Sequence, residues 1–254
     1  MKHNYKSPGE ISEVKTYFWA ILLLTFSCQN SPHKPYISKN SNDRIHAVRE
    51  KNAQLVPVKP EEFFGDSTNI GRKCLNKFEL SKYKIADSVY VIIKFYSRNA
   101  QGWSLKNEFH LANDGLLACD PKIADFNNDG LNDVTYVSAV AGRGANEIRR
   151  LFIYDKTGDQ LIYLKNSDNY PNLLYNKDLN CIDAFLVYGG CSTVFLKISG
   201  DSLKEFASVE LDHGLTVRTI GENNNERIIF RDKSDKNNYV RYKNFKPLME
   251  YDDY

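Results

Sequence analysis

The sequence predicts a mainly β protein: an antiparallel meander, a β-sandwich or a barrel-like domain with few short helices. Stretches such as DSVYVIIKFYS (residues 87–97) and DVTYVSAV (residues 133–140) alternate or are rich in β-branched residues, which is typical of strands. Aromatic residues are plentiful, with 16 Tyr and 14 Phe, and these side chains favour pleated, half-buried surfaces.

Turn residues between short apolar runs predict hairpins along the second half of the chain. Four such turns divide the apolar runs, at residues 156–159, 199–201, 223–225 and 234–237. They indicate an antiparallel meander of about eight to ten strands. The segment YPNLLYNKDLN, residues 170–180, is predicted to be a short helix or a loop.

The whole-chain charge argues against a nucleic-acid partner. The 254 residues carry a formal net charge of +2, whereas nucleic-acid binding calls for a basic patch and a high isoelectric point. The length fits one domain with appendages or two small domains.

The N-terminus is predicted to be an export signal. An apolar run from Tyr17 to Phe26 is followed by Ser27 and Cys28, and such a short run ended by a small residue is typical of a secretion signal. The segment resembles a bacterial lipoprotein signal, which implies lipidation of Cys28 and a stable membrane anchor. The alternatives are simple secretion with a cleaved signal peptide, or a buried apolar segment.

These features divide the chain into three predicted parts. Residues 1–27 are the signal peptide, residues 28–70 are the lipidated cysteine and a polar tether, and residues 71–254 are a β-rich domain. The predicted location is the bacterial cell envelope, facing the periplasm or on the outer membrane surface.

Four cysteines remain if Cys28 carries lipid. An even set in an exported protein predicts two disulfides, formed among Cys74, Cys119, Cys181 and Cys191. Their connectivity stays open. If residues 182–188 form one extended strand, its rise of about 3.3 Å per residue holds Cys181 and Cys191 far apart.

The stretch DFNNDGLND, residues 125–133, has the pattern of a calcium loop. Calcium takes six to eight oxygen ligands, and alternate residues of this loop supply them around the bend at Gly130. The predicted ligands are Asp125, Asn127, Asp129, the backbone carbonyl of Leu131, and Asp133. The twelfth position is Tyr136 rather than glutamate, so the loop is not an EF-hand. The alternative is a solvated polar turn.

The loop resembles the calcium loops of FG-GAP and VCBS-type β-proteins. With the downstream glycine loop and the hairpin around LFIYDKTGDQLIYL, residues 114–211 resemble bacterial periplasmic and lipoprotein β-domains, some of which are similar in fold to periplasmic lysozyme inhibitors. The resemblance implies that Ca2+ is held by the five residues above and stabilises the fold. It also implies a protein or glycan partner in the envelope, which for an inhibitor is a lysozyme.

A glycine-flanked arginine is the candidate partner contact. In AGRGANE, Gly142 and Gly144 let the backbone project, and Arg143 is suited to pair with carboxylates. The alternative is an ordinary surface turn.

A serine hydrolase is the enzymatic alternative. FFGDSTNIG resembles the first block of GDSL-type hydrolases, with Ser67 as nucleophile, but the family's late Asp-x-x-His is represented only by the adjacent Asp212 and His213. The chain also lacks the alternating helices of that α/β fold. We therefore predict a binding protein rather than an enzyme, with a structural role in a surface or adhesion complex as a further alternative.

Overall fold

The structure is a computed structural model that describes residues 59–221, 223–234 and 239–252. These residues belong to one unit of the chain, Val56–Tyr254. The predicted signal peptide, Cys28 and most of the predicted tether lie outside the described residues. Within the part that is described, no helix is long and apolar enough to cross a membrane.

The described chain is mainly β, as predicted, with strands in several antiparallel sheets and two short 3-10 turns, Gly142–Gly144 and Ser167–Asn169. The first sheet has the order β1-β2-β3-β4. Its strands are β1 Glu62–Asp66, β2 Asn76–Ile85, β3 Ser88–Asn99 and β4 Gly102–Asn113. Buried and less buried residues alternate along β2 and β3, because one face of the sheet covers a core.

Two further sheets follow in the chain. The middle sheet has the order β5-β6-β7-β8 and consists of β5 Lys122–Ala124, β6 Asp133–Ala141, β7 Asn146–Asp155 and β8 Gln160–Tyr163. The third sheet has the order β14-β13-β12-β11-β10-β9. Its strands are β9 Leu174–Asn176, β10 Cys181–Val187, β11 Cys191–Ser199, β12 Ser202–Leu211, β13 Leu215–Ile220 and β14 Glu226–Asp232. A terminal hairpin pairs β15 Tyr242–Phe245 with β16 Leu248–Glu250.

The sheets stack in layers, and the middle sheet is buried on both faces. Phe152 and Tyr154 of β7 pack in a core with the first sheet, whereas Leu151 and Ile153 of the same strand pack in a core with the third sheet. The terminal hairpin covers part of a third core, on the other face of the third sheet. Burying each large side chain contributes about 1.5–3 kcal/mol. Within the described residues no sheet closes on itself. Of the predicted architectures, the stacked antiparallel sheets are therefore confirmed, and the barrel-like domain is wrong.

The chain enters the first sheet earlier than the sequence predicted. β1 lies inside the predicted tether of residues 28–70 and pairs with β2 from Glu62 to Asp66, and Ile70 is fully buried in the first core. The boundary at residue 71 was therefore too late. EEFFGD, with two apolar residues, carries too little alternation to be recognised as a strand.

Three of the four predicted hairpin turns are present. Residues 156–159 join β7 to β8, residues 200–201 join β11 to β12, and the described residues between Ile220 and Glu226 belong to the β13–β14 turn. Residues 235–237 of the fourth turn lie outside the described residues. The hairpin predicted around them was wrong, because in the described part β14 pairs with β13 and β15 pairs with β16. Residues 170–180 form a loop with the short strand β9 rather than a helix.

The predicted disulfides are not formed. Among the described residues no disulfide joins these cysteines: Cys74 is exposed, and Cys119, Cys181 and Cys191 are buried. Cys119 lies in the first core, whereas the other two lie in the core under the terminal hairpin. Cys181 begins β10 and Cys191 pairs with Val187 at the other end of that strand, a separation of about 20 Å along an extended backbone.

A buried ion pair connects the C-terminal segment to the third sheet. Arg241 is 3% exposed and Asp183 is fully buried, and Arg241 Nε donates to Asp183 Oδ1 at 2.7 Å. Asn176 and the Tyr251 hydroxyl donate to the other carboxylate oxygen, at 2.8 and 2.6 Å. The additional hydrogen bonds satisfy the lone pairs that a buried carboxylate would otherwise leave without partners.

Candidate functional site: the aspartate-rich loop and the Gly142–Gly144 loop

The aspartate-rich loop joins β5 to β6 and folds around its own side chains. Asp125 accepts hydrogen bonds from the backbone N–H groups of Asp129 and Gly130, at 3.2 and 2.8 Å. Asn127 Oδ1 also accepts from Asp129 N at 3.1 Å, and Asp129 Oδ1 accepts from Leu131 N at 2.8 Å. Gly130 has a φ of 85°, a conformation that favours glycine. The side chains predicted as ligands at the first, third and fifth positions therefore share one tight turn.

Asp133 closes the loop from inside the protein. It is the first residue of β6 and is fully buried. Its two carboxylate oxygens accept hydrogen bonds from Phe126 N and Tyr154 N, both at 2.8 Å. Burial raises the pKa of this carboxyl to about 7; the two backbone hydrogen bonds oppose the increase, and the nearby charges of Asp129 and Asp125 add to it.

The oxygen atoms of the aspartate-rich loop are suitable ligands for a hard cation, but their present arrangement is not a complete coordination site. Carboxylate and amide oxygens are the ligands that calcium prefers, and each carboxylate oxygen has a second lone pair beyond its bond to the backbone. Asn127 Nδ2 donates to Asp129 Oδ2 at 3.0 Å, so cation binding would need a rearrangement of this pair. Among the described residues, no three Asp, Glu, His or Cys side chains form a ready-made metal cage.

The loop is attached to the first sheet as well as to the middle sheet. Gly71 N donates to Asn132 O at 2.9 Å, and Asn132 Nδ2 donates to Asn69 O at 3.0 Å. Phe126 packs between the middle and third sheets, and Leu131 packs against the first core. Ordering this loop therefore stabilises contacts in two cores.

The Gly142–Gly144 loop lies at the opposite end of β6. It is the tip of the β6–β7 hairpin, and all three residues are exposed. Gly142, Arg143 and Gly144 have φ values of 59°, 57° and 98°, so Arg143 adopts the left-handed conformation that non-glycine residues seldom take. β6 spans nine residues, a length of about 27 Å, which separates this loop from the aspartate-rich loop.

Two asparagines hold the base of this hairpin against the third sheet. Asn146 pairs with the backbone of Val187 in both directions, donating to its carbonyl at 2.7 Å and accepting from its N–H at 2.9 Å. Asn172 donates to the carbonyls of Ala145 and Phe185 at 2.9 and 2.8 Å and accepts from Glu147 N. Neither residue was predicted from the sequence, because their partners lie far along the chain and no local pattern marks them.

The β10–β11 tip and the loop after β4 lie beside the Gly142–Gly144 loop. The β10–β11 tip follows Val187, and Tyr188 on it is 45% exposed. The Tyr188 hydroxyl donates to Glu210 at 3.2 Å, and Glu210 lines an open polar cleft of about 640 Å3 along β12, β13 and β14. Asp114, in the loop after β4, accepts from Val140 N at 2.9 Å, two residues before Gly142. Several loops are therefore gathered at one end of the molecule, an arrangement that often carries binding residues.

Among the described residues, Ser67 has no hydrogen-bonded histidine of the kind that a catalytic serine needs. Asp66 accepts hydrogen bonds from the N–H groups of Thr68, Asn69 and Ile70 at 2.7–3.1 Å, so Gly-Asp-Ser forms an ordinary turn. Of the two histidines in the described residues, His110 lies on β4, three strand spacings or about 14 Å from β1. His213 lies on the β12–β13 tip of the third sheet, with Asp212 as its ion-pair partner. Neither ring hydrogen-bonds to Ser67 in the part of the chain that is described.

Comparisons with known proteins give no family. No protein-family model matches the chain, and no curated protein matches it. A solved structure described as a Xanthomonas type IV secretion system related protein is similar, with a TM-score of 0.44 and 9% sequence identity. The match covers 71% of this chain and 97% of that chain. A likeness this weak carries no argument about fold or function.

Proposed function

We propose that this protein is a calcium-stabilised, non-catalytic binding protein of the bacterial envelope, which contacts a partner protein through the Gly142–Gly144 loop. In this proposal residues 1–27 direct export and Cys28 carries a lipid anchor. The observation that carries the proposal is the presentation of Arg143, an exposed cation on a hairpin tip whose base is fixed by asparagine side chains.

The anchoring of the loop supports a binding role. Ordering a mobile side chain or loop on association costs free energy, and a loop that is already fixed reduces this cost. Asn146 and Asn172 hold the backbone that follows Arg143, and Asp114 holds the backbone that precedes it by accepting from Val140 N. Among the described residues Arg143 has no carboxylate partner, so its guanidinium is free to form the bidentate pair with a partner carboxylate that arginine favours.

The aspartate-rich loop supports the calcium part of the proposal. Asp125, Asp129 and the buried Asp133 lie close enough for their charges to raise the pKa of Asp133, and a cation among them would relieve this repulsion. Calcium would supply charge neutralisation and order at the loop. Because the loop and Arg143 lie at opposite ends of β6, calcium would stabilise the domain without touching the partner.

A thermal melt of the full chain in EDTA and in calcium tests the metal. Ligand that binds only the native state raises the melting temperature by mass action, so we expect a clear rise in calcium for the wild type. Asp129→Ala should lose this rise, whereas Asp155→Ala, which changes an aspartate in the β7–β8 turn, should keep it. An equal melting temperature in EDTA and calcium would refute the metal site.

Inhibition of lysozymes tests the partner loop. If the partner is a lysozyme, the wild type should inhibit at least one lysozyme class, and Arg143→Ala should weaken inhibition by about tenfold or more without changing the melting temperature. Arg227→Ala is the matched control, because Arg227 is an exposed arginine on β14. Failure against every lysozyme class would remove the inhibitor version of the proposal. Equal effects of both substitutions would remove the role of Arg143.

A further inference from the structure

The outer face of the first sheet carries more aromatic and large apolar side chains than a solvent-facing sheet surface usually does. The inner face packs on the middle sheet through residues such as Phe78, Ile93 and Phe109, and no described element packs against the other face. By strand alternation and register, that outer face presents Phe63, Tyr83, Tyr90, Ile92, Tyr96, Trp103 and Leu105. Open sheet faces are ordinarily polar, and a contiguous apolar patch indicates an interaction site.

The aromatic rings of this face form two groups. At one end, Lys77 Nζ lies 4.2 Å from the ring centre of Tyr96 and 5.6 Å from that of Trp103. At the other end, Tyr83 and Tyr90 stack with their ring centres 5.3 Å apart. Tyr90 and Tyr96 are six residues apart on β3, which corresponds to about 20 Å. The face is therefore an extended platform with a fixed aromatic group near each end.

The charges between these groups neutralise one another. Glu79 pairs with Lys77 at 2.9 Å and accepts from the Tyr96 hydroxyl at 3.0 Å. Glu108 pairs with His110 at 2.7 Å and with Lys94 at 3.7 Å. The middle of the platform thus offers many hydrogen-bonding groups without an unpaired charge.

We propose that this face binds a neutral polysaccharide strand. The C–H groups on the face of a pyranose ring carry partial positive charge, and the faces of tyrosine and tryptophan rings are negative, so the two stack. Sugar hydroxyls accept and donate hydrogen bonds, which matches the carboxylates and amines between the aromatic groups. A nucleic acid calls instead for a positively charged groove beside its aromatic rings. On this face Lys77 and Lys94 are paired with carboxylates, and Arg98, which lies over the Trp103 ring, is a single cation rather than a groove.

This site is separate from the Gly142–Gly144 loop, so the inference does not rest on the proposed partner protein. The loop belongs to the middle sheet, which covers the inner face of the first sheet. A substitution in the loop therefore leaves the platform unchanged, and the two sites can be tested independently.

Trp103 provides the readout. The chain has two tryptophans, Trp19 and Trp103, so the full chain with Trp19→Phe reports from the platform alone. We expect saturable changes in its emission on titration with chitohexaose or cellohexaose, and retention of the protein on insoluble peptidoglycan or chitin. Tyr96→Ala should weaken binding by about tenfold or more, because stacking on that ring is lost. Trp103→Ala should abolish retention.

Two matched variants keep the test specific. Phe230→Ala removes an exposed aromatic ring from β14 in the third sheet, and Arg143→Ala changes the partner loop; both should bind every glycan as the wild type does. Circular dichroism verifies that each variant is folded. The proposal is overturned if no glycan in this panel changes Trp103 emission or retains the wild type. It is equally overturned if Tyr96→Ala and Trp103→Ala bind normally, or if Phe230→Ala is as damaging as they are.

Discussion

Asp133 shows how one carboxylate serves as both a backbone acceptor and a candidate ligand. It sits at the junction of the aspartate-rich loop and β6, where it accepts hydrogen bonds from Phe126 N in the loop and Tyr154 N in β7. A neutral side chain without oxygen would leave both buried N–H groups without partners. The structural role of Asp133 is therefore present before any cation binds.

Asp133→Ala should destabilise the protein even in EDTA. Each buried N–H group left without a partner costs about 1–3 kcal/mol, so the loss of both acceptor oxygens should lower the free energy of unfolding by about 2–6 kcal/mol in urea titrations. Asp125→Ala is the control, because its hydrogen bonds are exposed to solvent and their loss should cost less. If the two substitutions lower the free energy of unfolding equally in EDTA, the buried hydrogen bonds of Asp133 do not stabilise the fold more than the exposed ones of Asp125.

Residues that act through distant partners could not be identified from the sequence alone. The glycines around Arg143 were identified from local chemistry, and the structure places them in left-handed conformations at a hairpin tip. Asn146 and Asn172 were not identified, since Val187 and Phe185, whose backbones they bind, are 41 and 13 residues away. Local turn preferences reveal the tip of a loop, whereas the side chains that fix its base depend on how sheets pack.

Among the elements, turn chemistry predicted local hairpins but not the change of partner after β14. Lys156–Asp159 and Ser199–Asp201 lie between strands that do pair. The run after β14 has similar turn residues, yet Tyr242–Phe245 pairs with β16 and packs under the third sheet. Tyr242 and Phe245 bury apolar surface there, and the buried pair of Arg241 with Asp183 fixes the segment that leads to them. Tertiary burial therefore decided this pairing.

The β7–β8 turn also connects two sheets, through the carboxylate of Asp159. Ser97 and Asn76 of the first sheet donate to it at 2.5 and 3.1 Å, and Arg72 pairs with it at 2.6 Å. Burial alone would raise the pKa of Asp159, but hydrogen bonds from Ser97, Asn76, Tyr154 and Arg72 outweigh burial and lower the pKa to about 2. The ordinary value of 3.8 applies to the unfolded chain.

Asp159 should make stability depend on pH in the acid range. Because its pKa is lower in the folded state, its contribution is present above about pH 4 and is lost as the pH falls through about 2. Urea titrations between pH 5 and about pH 2 should show a smaller loss of stability for Asp159→Asn than for the wild type. Parallel curves for the two proteins would contradict this contribution.

At the scale of the whole molecule, the stacking of the sheets and the terminal hairpin explains why some apolar runs do not alternate. RRLFIYD in β7 and CIDAFLV in β10 look continuous because neighbouring residues face different cores. The run in β7 was predicted as one arm of a hairpin, whereas a strand over residues 182–188 was considered only as a condition on the cysteine pairing. Burial on both faces was not predicted for either run, because it depends on which sheets stack, and composition alone does not specify the stacking order.

The shared middle sheet should make the layers unfold together. Phe152 packs in the core with the first sheet and the adjacent Leu151 packs in the core with the third sheet, so loss of either core exposes one face of β7. In the full chain with Trp19→Phe, urea unfolding followed by Trp103 fluorescence and by far-ultraviolet circular dichroism should give coincident transitions.

Phe152→Ala and Leu151→Ala should each lower the free energy of unfolding that both signals report. The expected losses are about 3–5 kcal/mol for Phe152→Ala and about 2–5 kcal/mol for Leu151→Ala. Ile228→Ala, at an exposed position on β14, should leave the free energy of unfolding nearly unchanged. If Leu151→Ala shifted the circular dichroism transition but not the Trp103 transition, the layers would be independent.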